Sequence, residues 1–158
     1  MQDVSPAAAA RQTTSPRGAR VLGFIALGVA LLIVAYWTIW YAGGRDLLAS
    51  AHTSEYLTFE NAFPAADVWL ALCAAIAGVQ LLRGRSSAIY WLFLTAGAGF
   101  YLGLMDVLFD VENGVYLAAN GGDPVAVGIE VAINILTFTL SAYVLWWAWR
   151  NRGWAARA

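Results

Sequence analysis

Lysine is absent from this chain of 158 residues, and all nine basic residues are arginine. Together with the abundance of Ala and Gly, that points to a GC-rich bacterial genome. Charge of either sign is scarce: 12% of residues are charged, against about 25% in soluble domains. The arginines form no surface patch of the kind that binds nucleic acid, and no Gly-rich phosphate loop or CxxC pair occurs. With one histidine, His52, neither a His-based metal site nor a Ser-His relay can be assembled. The lone cysteine, Cys73, excludes a disulfide within the chain and lies in an apolar run, where a thiol acts as a small filler. No cofactor is expected.

What the chain has in quantity is apolar length. Hydrophobic residues make up 61% and mean hydropathy is +0.63. A span needs about 20 apolar residues, and four runs qualify: 21–41, 64–82, 87–110 and 124–149. The expected fold is therefore an all-α integral membrane protein, a four-transmembrane-helix bundle forming one domain over residues 20–152. Residues 1–19 lack apolar periodicity and read as a disordered cytoplasmic tail; residues 153–158 form a second, short tail. A cleaved signal peptide is the competing reading of the start, since Arg17 and Arg20 precede an apolar run and Ala49-Ser50-Ala51 resembles a cleavage site. The run, however, is longer than the roughly 7–15 residues of a signal's apolar core.

Breaks between the runs carry their own signals. Tyr36, Trp37, Trp40 and Tyr41 form an aromatic belt closing the first run, and Gly43-Gly44 stops it. From Thr53 to Phe63, the residues Tyr56, Phe59 and Phe63 recur at helical spacing, with Glu55 and Glu60 read as turned elsewhere. That predicts a short amphipathic segment lying in the interface. Pro64 suits the first turn of the second run, and Asp123-Pro124 reads as cap and start of the fourth. Arg83-Gly84-Arg85 leaves room only for a helical hairpin, and Gly114 after Glu112-Asn113 predicts a left-handed stop for the third run.

Two helical faces depart from plain apolarity. In the third run Thr95, Gly99, Gly103, Asp106 and Asp110 share one narrow face. Small residues four apart admit a neighbouring backbone closely, so Gly99 and Gly103 are expected packing positions, as are Ala71, Ala74 and Gly78 of the second run. In the fourth run Asp123, Glu130, Asn134, Thr137 and Ser141 line up in a stripe that cannot face lipid cheaply.

Arginines 11, 17, 20, 83, 85, 150, 152 and 157 fall on one side of the four-span scheme and only Arg45 on the other, while every acid except Asp3 lies on the Arg45 side. By the positive-inside rule both termini are cytoplasmic, in a multi-pass protein of the plasma (inner) membrane. Asp67, Asp106, Asp110, Glu130 and Asn134 are the ligand- or cation-binding candidates, brought to one level by three helices. Intramembrane acids are functional candidates by default, although helix capping accounts for Asp67 and solvation for Asp110 and Glu112, pairing with Tyr, Asn or Arg45 is open to Asp106 and Glu130, and Asn134, one turn deeper, is placed to hydrogen-bond Glu130. The expected function is non-enzymatic: an external acidic site for a cation or small lipophilic, amphipathic ligand. An accessory subunit of a larger membrane complex, meeting a protein partner or a second copy through the small-residue faces, is one alternative. A small membrane enzyme using paired carboxylates on a lipid-like substrate is the other.

The orientation is testable. In a Cys73→Ala background, cysteines introduced at Ser54 and Ala119 should react with an impermeant thiol reagent in intact cells, and one at Ser86 should not. The opposite pattern would invert the topology.

Overall fold

The structure, a computed structural model, describes residues 15–117 and 124–156. Most of the N-terminal tail, the Asn120–Asp123 turn with its Asp123 cap, and Arg11 and Arg157 lie outside the described residues. Five helices account for nearly all the rest. Helix α1 spans Ala19–Ile39, α2 Ser54–Glu60, α3 Phe63–Leu82, α4 Ala88–Glu112 and α5 Pro124–Ala155. Among the described residues four helices are long and apolar enough to cross a membrane: α1 with its extension to Leu48, α3 counted together with α2, α4 and α5. The architecture is an all-helical bundle in which α1 packs on α3, α3 on α4 and α4 on α5.

Small residues set the spacing of these seams. Where α1 crosses α3, a Cβ added at Gly78 would stand 2.8 Å from the carbonyl oxygen of Gly23, so the two backbones touch. Further along, Ala71 and Ala74 of α3 bury against Ala30 of α1. The seam of α4 meets the polar stripe of α5: Gly99 lies against Ser141, and a Cβ on Gly103 would come within 3.3 Å of Phe138 and Thr137. Without a hydrophobic drive between helices in lipid, such close van der Waals contact is what holds them.

The turns follow local rules. α3 ends in a Schellman motif, with Arg85 N–H donating to Gln80 at 2.9 Å and Gly84 N–H to Leu81 at 3.1 Å. Gly84 takes φ 65° there, which a side chain would strain. The first helix does not stop at Gly43-Gly44. It passes through a wide π turn, Trp40–Gly44, bends where Gly43 takes φ 105°, and adds one turn, Arg45–Leu48. Glycine here kinks the helix rather than ending it.

Helix α2 is the short helix expected in this loop, but Glu60 is buried with Tyr56 rather than turned elsewhere. Thr53 caps it, its hydroxyl accepting from Tyr56 N–H at 3.2 Å, and its buried residues are Tyr56 and Glu60. Instead of lying flat with Glu60 turned out, it folds over the end of the bundle, where Tyr56 joins Trp37, Trp40 and Val115. Phe59 stacks on Phe109 of α4 with ring centroids 3.9 Å apart.

The two ends differ in closure. Toward the arginine end, Ala19 and Leu22 of α1 share a cluster with Val144, Trp147 and Ala148 of α5. Toward the other end α1 and α5 part, and the ring of helices is open between them.

Gly103→Leu should therefore lower stability by about 1–3 kcal/mol through overpacking, whereas Leu104→Ile, at an exposed position (61%), should be nearly silent. Thermal melting in detergent checks this; equal losses would mean that the glycine seam is no interface.

Candidate functional site

Five carboxylates gather at the open end: Glu60, Asp67, Asp106, Asp110 and Glu130. Helix periodicity delivers them. Asp106 and Asp110 continue the inward seam of α4, Glu130 begins the inward stripe of α5, and Asp67 lies one turn into α3. Glu60 arrives on α2, one turn beyond Tyr56, and is buried. Asp110 is the most enclosed of the five, 1% exposed, and so is not the solvated acid that its place near a helix end suggests. Glu112, two residues on, is exposed.

Hydrogen bonds hold some of these oxygens. Asp67 Oδ2 accepts from Trp37 Nε1 at 2.8 Å. Glu130 Oε2 accepts from Ser50 Oγ at 2.9 Å and from the Tyr56 hydroxyl at 3.3 Å, while Ser50 N–H donates back to that hydroxyl at 3.3 Å. The linker after α1 and the helix laid over the bundle thus orient one acid of α5. Asn134 does not meet Glu130. Its Nδ2 donates to the Tyr116 hydroxyl at 3.0 Å, and Tyr116 is in turn hydrogen-bonded to Asp110. Burial and the neighbouring Asp110 charge push the Tyr116 phenol up, which keeps it protonated and able to donate.

Positive charge is missing. Arg45 lies with its guanidinium carbon 5.4 Å from the centre of the Trp40 ring, and none of the five acids forms an ion pair with a described residue. Like charges held close in a poor solvent repel, so such a group must hold protons, a cation, or both.

Beneath the acids opens a cavity of about 430 Å³. Its floor and sides are apolar: Leu32, Ile33 and Ile39 from α1, Leu70 from α3, Leu102 from α4, Ile133, Leu136 and Leu140 from α5. Tyr36, Glu60, Asp67, Asp106, Glu130, Asn134 and Thr137 supply its polar wall. Asp110 is not part of that wall; it sits behind, with an oxygen of Asp106, of Asp110 and of Glu130 all within 4.8 Å of one another.

Of the sequence candidates, Asp67, Asp106, Glu130 and Asn134 line the cavity and Asp110 backs it, whereas Gly99, Gly103, Ala71, Ala74 and Gly78 lie in helix seams away from the acids, Gly103 alone also touching the cavity. Glu60, Ser50, Tyr56, Tyr116 and Trp37 were not among them. A signal for Glu60 existed: on a helical wheel it stands about 40° from Tyr56 and within the same stripe as Phe63. For Ser50 and Tyr116, which act from irregular connections, the sequence carries none. No family model matches the chain, and no curated protein or solved structure matches it either.

If Asp106 and Glu130 share one charge problem, they are energetically coupled. In chelator-treated detergent, Asp106→Asn and Glu130→Gln should each raise stability by about 1 kcal/mol, roughly 2–4 °C in melting temperature. The double variant should add little to either, because coupled sites are non-additive. Strictly additive shifts would give the acids separate structural partners.

Proposed function

We propose that this protein is a non-enzymatic, multi-pass protein of the bacterial inner membrane that binds a small amphipathic cation, a protonated amine carrying a hydrocarbon tail. The observation that carries the reading is the composite cavity. Its apolar volume ends in Glu60, Asp67, Asp106 and Glu130, and no described arginine pairs with any of them. An apolar pocket with a few convergent polar groups is the common form of a small-molecule site. Here the charged groups among them are all acidic, which favours a cation.

The gap between α1 and α5 supports entry from the side. Leu32, Ile39 and Leu136 line the cavity and are themselves exposed, so in a bilayer the tail of a ligand reaches the site from the lipid without crossing a polar barrier. The arginine asymmetry sets the orientation, with both termini cytoplasmic and the acidic end outside. Tight seams between α1 and α3 and between α4 and α5 provide a rigid wall, which favours binding over transport: toward the arginine end the polar stripe of α5 stops at buried Ser141 and is sealed by Val144 and Trp147. The accessory-subunit and enzyme readings have no comparable observation behind them.

The experiment uses dodecylamine, with dodecanol and laurate as neutral and anionic matches, titrated into the protein in phosphatidylcholine nanodiscs. The amine should raise the melting temperature saturably, the alcohol much less and laurate not at all. Asp67→Asn and Glu60→Gln should each weaken the amine by about tenfold, equivalent to 1.4 kcal/mol. Equal binding of amine and alcohol, or unchanged affinity in both variants, would sink the reading.

A further inference from the structure

Behind the cavity the acids make a second, smaller arrangement. Asp106 and Asp110 are one helical turn apart on α4, and Glu130 faces them from α5. One oxygen from each lies within 4.8 Å of the other two. Oxygens gathered this closely are compatible with shared ligation of one ion bound at about 2.3–2.6 Å.

A cluster of acids alone would mean little, but Asp110 adds a separate observation. It is buried to 1% exposure, and its Oδ2 has no hydrogen-bond partner. A buried carboxylate oxygen without a donor costs the full desolvation of that atom, and proteins leave few of them without a reason. The surroundings are also organised as a metal's outer shell is. Ser50 and Tyr56 hold Glu130 through Oε2, and the Asn134–Tyr116 pair steadies Asp110. Such supports fix the direction of ligating oxygens.

We infer that Asp106, Asp110 and Glu130 form a binding site for a hard divalent cation, with calcium the best match. An all-carboxylate donor set selects hard ions over softer transition metals. Magnesium demands near-octahedral ligands at about 2.0–2.1 Å and keeps its waters, whereas calcium accepts wider, irregular oxygen sets. The ion neutralises the charge crowded on α4 and α5 and ties those helices together at their open end. Glu60 and Asp67, on the far wall, stay available to the cavity. This inference does not rest on the amine reading, since Asp110 takes no part in lining the cavity.

The test is isothermal titration of chelator-stripped protein in phosphatidylcholine nanodiscs with calcium chloride, then with magnesium chloride, against empty nanodiscs. One saturable calcium site per chain is expected, with weaker magnesium binding and a calcium-dependent rise in melting temperature. Asp110→Asn should weaken calcium at least tenfold while still binding dodecylamine, which also reports that it has folded. Asp67→Asn should still bind calcium normally. Should Asp110→Asn fail to fold, Glu130→Gln tests calcium binding alone, with a cooperative thermal melt reporting that it has folded. Absence of any saturable divalent-ion response in the wild-type protein, or undiminished calcium binding in the folded variant, overturns the site; loss of amine binding with calcium binding intact would instead refute only the function proposed above.

Discussion

Uncompensated negative charge is the constraint around which this bundle is arranged. A buried charge left without a partner costs about 3–5 kcal/mol, and here Glu60, Asp110 and Glu130 are buried and Asp67 and Asp106 half-buried, with no described arginine paired to any of them. Packing elsewhere has to hold the helices against this repulsion. The Gly23–Gly78 contact and the Gly99 and Gly103 seam do so at the level of the backbone, where dispersion acts at its shortest range.

The result is a molecule of two unlike ends. At one, tryptophans and small residues of α1, α4 and α5 interlock in a dry cluster. At the other, α1 and α5 part, and the space is bounded by the kinked extension of α1 and by α2 folded across the top. That second end is where a polar network, an apolar cavity and unpaired carboxylates coincide. These acids burden stability, since well-packed apolar side chains in place of buried charges are often neutral or stabilising.

Much of the architecture was legible because its signals are local and periodic. Four apolar runs, the Arg83-Gly84-Arg85 hairpin, the cap at Thr53 with its short helix, and the inward faces of α4 and α5 all follow from spacing along one helix. The boundary after Trp40 was less so, since two glycines stop a helix or bend it according to what packs beyond them.

The sequence by itself determined the number of long helices, the side of each that turns inward and the segregation of arginine from acid, because helical period and transfer to an apolar medium act residue by residue. Only the tertiary structure decided which acids meet. Glu60 joins the cavity wall because α2 folds inward, Asp110 is buried behind that wall, and Asn134 turns to Tyr116 rather than to Glu130. These contacts join residues from separate helices and irregular connections, so their geometry depends on the relative placement of elements, about which no single helical repeat carries information.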